Sequence, residues 1–289
     1  MNAIVNYHVI DPTNVGDLLS SPANYFSFPG YSIAQHDIRD LNPNLLKGEH
    51  SLIGGGGLLY SRFLDSITTL KKASNRGCLI AWGIGQQDYH ALSANPQPFD
   101  YSNYLNDFDL VGIRDFNSGY PWVPCVSCMH SAFDRKRDIK HEFVVFSHKK
   151  FQLKIGAFPR MTNETQGIEE VLDFLGSGET ILTSSYHGAY WGTLLGRKVL
   201  AFPFSSKFLT FKHSPGLYPV EKWTQTKFQL KLFNHVFYEL RDKNQYTCRI
   251  HNWREYVQHC QLYPDSLEEC RTQNRLFHTK VMQCLSESC

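Results

Sequence analysis

Short apolar runs that end in glycine, asparagine or serine are the feature that most constrains the fold of this chain. They lie at residues 3–9, 51–53, 78–85, 110–115, 142–148, 180–184 and 198–202. Strands that are apolar throughout are typical of parallel sheets, because helices cover both faces of such sheets. The sequence therefore predicts an α/β protein with parallel sheets.

Helical patterns separate several of these runs. The clearest covers residues 163–175, where apolar residues recur at helical spacing. Thr162 or Asn163 is suited to cap the start of this helix, and Gly176 is suited to end it. After about Pro219 the chain is expected to be helical and amphipathic.

The charged segment at residues 134–142 predicts a linker between two halves of Rossmann type. A chain of 289 residues is long enough for two domains of ordinary size. We therefore expect an N-terminal domain at 1–138 and a C-terminal domain at 139–289 that ends in helices.

Charge and composition narrow the classes of partner. The formal net charge is +2, with lysine and arginine spread along the chain, whereas a nucleic-acid binder usually shows a basic stripe. The N-terminus lacks a charged region followed by an apolar one, and no apolar run reaches about 18 residues. We expect a cytoplasmic protein with reduced cysteines, no nucleic-acid partner and no membrane segment.

Cys125 and Cys128 form a CxxC motif that is followed by Met129 and His130. A structural zinc site needs four ligands, and the sequence offers no second CxxC or HxxxH pair. We therefore expect no metal.

Polar residues that follow the strands are the candidates for a site, because ligands of such sheets bind outside the carboxyl ends of the strands. Asn14, Gly16 and Asp17 follow the first run. Gly16 allows close backbone approach, and Asp17 can act as a base or cap a helix. Gly55 and Gly56 lie in a four-glycine turn whose amides could bind an anion at a helix start, or which could pack tightly against a neighbouring strand.

Two further turns carry polar residues. The stretch 82–88 has only two of the three glycines of a dinucleotide fingerprint, and Gln86 follows them. Arg114 ends the run at 110–115, where its guanidinium can hold a carboxylate or phosphate through two parallel hydrogen bonds. A structural pair between Arg114 and Asp115 is the alternative.

The turn after residues 180–184 carries the sharpest candidate, His187. Gly188 keeps the next helix slim enough for its first amides to approach a ligand. An imidazole at this edge can donate to a phosphate or move a proton near neutral pH. Ser206 and Lys207 follow the next run, and a hydroxyl with an ammonium suits phosphate oxygens. A structural histidine and a solvated loop are the alternatives.

The order of these pieces resembles the polysaccharide pyruvyl transferase family. The matching segments span roughly residues 1–210 and are Asn14-x-Gly16-Asp17, Gly54–Gly57, Trp82–Gln86, Val111–Asp115 with Ser118, Tyr186–Gly188, Leu195–Val199 and Ser206-Lys207. Members of that family resemble GT-B glycosyltransferases, with two Rossmann-type domains whose parallel sheets face a cleft. The resemblance implies this GT-B-like α/β fold.

The resemblance also implies an activity. Family members transfer the pyruvyl unit of phosphoenolpyruvate (PEP) to hydroxyls of a glycan or glycan precursor, form a ketal and release phosphate, as in the biosynthesis of exopolysaccharide and cell-envelope glycans. The implied partners are PEP and a sugar acceptor, and PEP is a donor substrate rather than a cofactor. We expect His187 to contact the phosphate and supply a proton, Arg114 and Lys207 to hold anionic groups, and Asp17 to orient or deprotonate the acceptor hydroxyl. Further substrate contacts are expected from Asn14, Gly16, Gly55, Gly56, Gln86, Ser185, Gly188 and Ser206.

One position departs from the family pattern. Many relatives carry an arginine two residues before the histidine, where this chain has Ser185. Loss of that cation could weaken or abolish donor binding, or the donor could differ. Arg197, Lys198 or Lys207 could compensate.

Two other functions stay open. A GT-B-like glycosyltransferase with a nucleotide-sugar donor would be stabilised by a nucleotide diphosphate. A relative that binds a sugar or an anion without turnover is favoured by the missing arginine.

Overall fold

A computed structural model of the chain describes residues 3–43, 46, 48–73, 77–89, 98–165, 167–232 and 235–287, with the backbone alone at 227–232 and 235–244. The fold is mixed α/β. The strands are β1 Ala3–His8, β2 Ser32–Asp37, β3 His50–Gly54, β4 Leu79–Ile84, β5 Leu110–Ile113, β6 His141–Ser147, β7 Phe151–Gln152, β8 Arg160–Thr162, β9 Gly178–Thr183, β10 Lys198–Ala201, β11 Gly216–Leu217, β12 Trp223–Leu232 and β13 His235–Cys248. The α-helices are α1 Val15–Leu18, α2 Leu64–Lys72, α3 Ser102–Leu105, α4 Ile168–Gly176, α5 Tyr186–Leu194, α6 Trp253–Val257 and α7 Ser266–Glu287.

The chain divides into two compact units. The first unit comprises Met1–Arg135, Ser205–Ser214 and Pro264–Cys289, and the second comprises Lys136–Phe204 and Pro215–Tyr263. The first break lies inside the linker predicted at 134–142. The division otherwise differs from the predicted domains, because residues 205–214 and 264–289 pack with the N-terminal part of the chain.

The first unit is built on a five-stranded sheet in the order β2-β1-β3-β4-β5, in which every neighbouring pair is parallel. The apolar runs that form β1, β3, β4 and β5 were predicted as strands of a parallel sheet, and this is confirmed. The sequence did not indicate β2, because it is an edge strand whose first five residues are exposed. Its residues carry no apolar run.

Helix α7 covers one face of this sheet. Phe277, Val281 and Leu285 are buried in a cluster with Ile4 and with Trp82. Burial of each such side chain contributes about 1.5–3 kcal/mol to folding. The indole N–H of Trp82 also donates a hydrogen bond of 2.8 Å to Asn274 Oδ1 on α7. These contacts explain why the C-terminal helix belongs to the first unit.

The second unit contains another five-stranded parallel sheet, in the order β11-β10-β9-β6-β8. Helix α5 packs closely on it, because a Cβ at Gly188 would lie 2.5 Å from the Phe146 side chain and one at Gly192 would lie 2.5 Å from Ile181. The predicted parallel sheets are thus confirmed in both units.

The expectation of a wholly helical chain after Pro219 is wrong. Strands β12 and β13 pair antiparallel, and β13 also pairs with β7, to form a three-stranded sheet in the second unit. The sequence Trp223–Leu232 alternates polar and apolar residues over much of its length, which is the period of a strand. The helical expectation holds from Trp253 onward, through α6 and α7.

The helix predicted at 163–175 begins later than expected. Helix α4 starts at Ile168 after Gly167 as its N-cap, and Gly176 is its last residue. Asn163 instead donates its N–H to the Ser147 carbonyl at 3.2 Å and accepts from the Lys149 N–H at 2.6 Å. These bonds extend the loop after β8.

Among the residues that the structure describes, no helix is both long enough and apolar enough to cross a membrane.

Candidate functional site

The carboxyl edge of the sheet in the first unit is held together by Asp115, which is fully buried just after β5. Its carboxylate accepts hydrogen bonds from the Gln86 N–H at 2.6 Å, from the Tyr101 hydroxyl at 3.3 Å and from Thr210 Oγ1 at 2.8 Å. Burial raises the pKa of Asp115, while the nearby Arg114 charge and these donors lower it. Asp115 therefore ties the ends of β4 and β5 to the segment 205–214.

The segment 205–214 brings Lys207 to this edge. Ser206 and Asp88 are joined by reciprocal bonds, since the Ser206 N–H donates to the Asp88 carbonyl at 2.8 Å and the Asp88 N–H donates to Ser206 Oγ at 2.9 Å. The Phe116 N–H donates to the Thr210 carbonyl at 2.9 Å. These bonds anchor the segment on both sides of Lys207. The role expected for Ser206 was substrate contact, and the bonds show it holding the backbone.

Lys207 is a buried cation close to a second buried cation. Its side chain and that of Arg114 are 8% and 4% exposed. The pKa of Lys207 falls from 10.5 to about 7, chiefly because burial disfavours the ammonium and also because the Arg114 charge repels it. Asp17 acts in the opposite direction and raises this pKa. The lysine ammonium lies 3.5 Å from Gln87 Oε1.

The Arg114 side chain occupies space that is open because the residue directly after β4 is a glycine. A Cβ at Gly85 would lie 2.6 Å from both Arg114 Nε and Asp115 Oδ1. The Arg114 N–H donates to the Ile84 carbonyl at 2.9 Å, which continues the contact between β5 and β4. The glycine therefore creates the space in which the guanidinium lies.

Asp17 lies in the short helix α1, directly after β1. Its carboxylate accepts a hydrogen bond of 2.6 Å from Asn14 Nδ2, and its carbonyl accepts one of 2.8 Å from Ser20 Oγ. Gly16 is buried within the same turn. Asn14 thus positions the carboxylate, while Gly16 belongs to the interior of the helix.

The glycine turn after β3 differs from the expected helix start. Gly55 and Gly56 have φ of +72° and +83°, a conformation that glycine adopts without strain. The Gly55 N–H donates to the Trp82 carbonyl at 3.0 Å, and the Gly56 carbonyl accepts from the Gly85 N–H at 3.0 Å. Helix α2 begins only at Leu64. The turn is therefore packed tightly against the end of β4. Its amides are not the N-terminal amides of a helix.

A pocket of about 270 Å³ opens above this turn. We call it the polar pocket; its lining includes Asp17, Ser20, Gly55, Gly56, Gln87 and Tyr89. Gln87 also lines this pocket, and its side-chain oxygen lies 3.5 Å from the Lys207 ammonium. The polar pocket and Lys207 are therefore neighbouring parts of one site in the first unit.

Gln86 does not line the polar pocket. Its N–H bonds to Asp115, and its Nε2 donates to the Tyr101 hydroxyl at 3.2 Å. Gln87, which was not among the predicted site residues, lines the pocket and contacts Lys207. The adjacent pair of glutamines after a strand was the available signal. Which of them faces the pocket depends on the backbone of the turn.

The remaining candidates lie in the second unit. His187 is 7% exposed in the first turn of α5, with its ring centroid 5.4 Å from that of Tyr186 and 5.0 Å from that of Trp191. Ser185 is the N-cap of α5, and its Oγ accepts from the Gly188 N–H at 3.3 Å. These bonds give Ser185 and Gly188 roles in starting and packing the helix.

The predicted site residues thus fall in two groups. The first unit holds Asn14, Gly16, Asp17, Gly55, Gly56, Gln86, Arg114, Ser206 and Lys207, and the second holds Ser185, His187 and Gly188. Lys207 and Ser206 were expected in the C-terminal domain with His187. They lie in the first unit because the segment 205–214 is bonded to Asp88, Asp115 and Phe116.

The CxxC motif lies in the first unit, away from any strand-to-helix turn. Cys125 and Cys128 flank the start of a 3-10 helix at Val126–Met129, and both side chains are buried. Burial raises the pKa of the Cys125 thiol, and Asn274 Nδ2 lies 3.5 Å from Cys128 Sγ. The motif packs against α7 as part of the interior.

Comparisons of this chain with family models, with curated proteins and with solved structures found no match. A function must therefore be inferred from the chemistry of the residues described above and from the sequence motifs.

Proposed function

We propose that this protein transfers the pyruvyl unit of PEP to hydroxyl groups of a sugar and releases phosphate. The observation that carries the proposal is the burial of Lys207 close to Arg114. Cations enclosed together repel one another, and their removal from water adds a further cost. A bound anion offsets both costs. The pair therefore favours a ligand with several negative charges, and PEP carries both a carboxylate and a phosphate.

The chemistry of each cation suits this donor. A guanidinium binds a carboxylate or phosphate through parallel hydrogen bonds, whereas an ammonium acts as a compact point charge. Arg114 and Lys207 would hold the donor and stabilise the charge that develops on the departing phosphate. Asp17, which lines the polar pocket, would orient the acceptor hydroxyl and accept its proton.

The proposed reaction balances without an oxidant or a further cofactor. The methylene carbon of PEP gains a proton, both sugar oxygens bond to the central carbon, and the bond from that carbon to the phosphate oxygen breaks. Of the protons that leave the sugar hydroxyls, one replaces the proton given to carbon and the other leaves with phosphate. His187 is the group that the sequence nominates as the proton donor to carbon, and this role stays a prediction.

The GT-B-like architecture is part of the same proposal. A parallel sheet in each of the two units is what a GT-B-like enzyme requires. Most of the motifs that resemble the polysaccharide pyruvyl transferases lie at or after the carboxyl ends of strands in these sheets, where ligands of α/β proteins bind. Leu195–Val199 is the exception, because it leads into the start of β10.

Thermal unfolding with PEP, inorganic phosphate, UDP, GDP and CMP tests the proposal. We expect PEP to raise the melting temperature more than phosphate does, because the carboxylate adds a contact. A ligand at about 100 times its dissociation constant adds roughly 2.7 kcal/mol of stability. Stabilisation by a nucleotide alone would indicate a glycosyltransferase instead. No shift with PEP at millimolar concentration would refute the proposal.

Binding without turnover is the second candidate, and Ser185 is the observation that favours it. The hydroxyl at this position caps α5, where the family motif has an arginine. Release of phosphate from PEP in the presence of a sugar panel separates the two candidates. PEP binding with no phosphate release above the rate without protein would support the binding-only function.

A further inference from the structure

A second pocket in the first unit has walls of a different chemistry. This pocket has a volume of about 310 Å³, and its lining includes the aromatic residues Tyr60, Tyr89, Phe99 and Tyr104. We call it the aromatic pocket. The rings of Tyr60 and Tyr89 meet edge to face with centroids 5.8 Å apart, and Tyr89 is 39% exposed. Aromatic surface therefore faces an open space.

The polar and aromatic pockets adjoin. Tyr60, Gln87 and Tyr89 line both of them, so these side chains form a shared wall. Gln87 Nε2 donates to the Tyr89 hydroxyl at 2.5 Å, which fixes part of that wall. A ligand that extends across this shared wall would contact both pockets.

The two linings match the two kinds of surface that a sugar ring presents. Sugar hydroxyls both donate and accept hydrogen bonds, and the polar pocket is lined by the carboxylates of Asp11 and Asp17. The guanidinium groups of Arg39 and Arg62 also line it. The C–H face of a pyranose is apolar and packs against an aromatic ring. Sites of this size, near the lower end of the range of about 300–1,000 Å³, suit small ligands.

From this arrangement we propose that the two pockets bind consecutive rings of an oligosaccharide. The inference rests on the proposed function, under which this oligosaccharide would be the acceptor. The reacting ring lies in the polar pocket, because Asp17 lines it together with Gln87, whose side-chain oxygen lies 3.5 Å from the Lys207 ammonium. The neighbouring ring lies in the aromatic pocket. The acceptor is thus at least a disaccharide.

Binding without donor tests the inference directly. The methyl hexosides of glucose, galactose and mannose, and disaccharides built from each, are titrated into the full chain by calorimetry. We expect at least one disaccharide to bind about tenfold more tightly than its methyl hexoside, which corresponds to about 1.4 kcal/mol. Equal affinities throughout, or no binding of any sugar, would overturn the proposal.

Ser61 provides a variant that blocks the aromatic pocket alone. It is exposed at the start of a 3-10 helix and lines this pocket without lining the polar one. Ser61→Trp should reduce the affinity for the disaccharide to that of the methyl hexoside. Ser131→Trp is the matched control, because Ser131 is also an exposed first residue of a 3-10 helix in the first unit. A tenfold preference that survives Ser61→Trp contradicts the two-ring arrangement.

A second variant covers the case in which the added indole perturbs folding. Tyr89→Ala removes part of the shared wall at a position that is already exposed. It should lower the affinity for both the methyl hexoside and the disaccharide, whereas Ser61→Trp should lower the affinity for the disaccharide alone. Unchanged binding in Tyr89→Ala counts against the proposal.

Nucleotide and donor titrations separate this inference from the proposed function. If UDP or GDP binds the wild type and Ser61→Trp abolishes that binding, the aromatic pocket is a base site and the inference fails. If PEP gives no thermal shift while the disaccharide preference is present, the two-ring site is supported and the proposal of pyruvyl transfer is refuted. If PEP binds but no disaccharide is preferred, the inference alone fails.

Discussion

The ammonium of Lys207 lies 3.5 Å from the side-chain oxygen of Gln87, which is a neutral acceptor. The same amide donates to Tyr89 through its nitrogen. An amide solvates an ammonium without cancelling its charge, so the attraction of Lys207 for an anion is retained. The contact also connects the buried cation to the shared wall of both pockets. Under the proposed function, the contacts of PEP and of the sugar would therefore be coupled through this glutamine.

Removal of the buried ammonium should stabilise the protein and abolish donor binding. Lys207→Met keeps much of the side-chain volume and removes the charge that burial and Arg114 disfavour. Replacement of a buried ion by an apolar group of similar volume stabilises by about 1–4 kcal/mol in favourable cases. We expect a higher melting temperature and no stabilisation by PEP. Thermal unfolding with and without PEP measures both effects.

The stabilisation should depend on pH in a defined direction. Because the pKa of Lys207 is lowered to about 7 in the fold, the unfolded state binds more protons between about pH 7 and pH 10.5. The cost of the folded ammonium is fully present below that window and is lost as the pH rises through it. The increase in unfolding free energy caused by Lys207→Met should therefore be largest near pH 6 and smaller near pH 9. Lys72→Met, at an exposed lysine that ends α2, controls for the loss of a lysine charge at the surface.

Donor affinity should also fall with pH. Above about pH 7 the Lys207 amine is mostly neutral, so an anion must bind together with a proton. PEP affinity should decrease by up to about tenfold per unit above this pH. Calorimetry in buffers of different ionisation enthalpy should detect proton uptake. A flat profile in the wild type would show that Lys207 does not contact the donor.

Much of the site in the first unit followed from the positions of apolar strands. Asp17 and Arg114 were predicted because each follows a strand of a parallel sheet, and such strands end at one edge. Arg114 directly follows β5, and Asp17 lines the polar pocket with Gln87, whose oxygen lies 3.5 Å from Lys207. Gln86 was predicted as the contact, whereas its neighbour Gln87 lines the pocket, because adjacent side chains in a turn face different surroundings.

The unit to which Lys207 belongs was less predictable. It follows β10, a strand of the second unit, and its neighbours in sequence therefore suggested that unit. Its placement depends on long-range hydrogen bonds, such as that of Thr210 to Asp115, which no local pattern reveals. The strands β12 and β13 were missed for a different reason, since their alternation was taken for helical amphipathicity.

Loss of the Thr210 hydroxyl should loosen the segment that carries Lys207. Thr210→Val keeps the shape but removes the 2.8 Å bond to the buried carboxylate of Asp115. Such a loss costs about 1–3 kcal/mol of unfolding free energy when a buried acceptor is left unsatisfied. We expect this cost by chemical denaturation, together with a several-fold weaker PEP affinity. Thr272→Val is the control, because its bond to Glu268 is exposed and long at 3.4 Å.

The cap of α5 should contribute measurably to stability. Ser185→Ala removes the side-chain acceptor for the Gly188 N–H, and loss of an N-cap costs about 0.5–2 kcal/mol. Ser185→Asp should restore most of it, because a carboxylate accepts the same bond and interacts favourably with the helix N-terminus. Equal denaturation midpoints for the alanine variant and the wild type would show that the bond contributes nothing.

His187→Gln should abolish transfer while the fold and donor binding persist. Glutamine fills much of the buried space between Tyr186 and Trp191, so the destabilisation should be smaller than for alanine, which leaves a cavity. It cannot donate a proton near neutral pH as an imidazolium can. The cations proposed to bind PEP lie in the first unit, so a thermal shift with PEP should remain after the expected contact of His187 with the phosphate is lost. Phosphate release at the wild-type rate in this variant would exclude His187 as the proton donor.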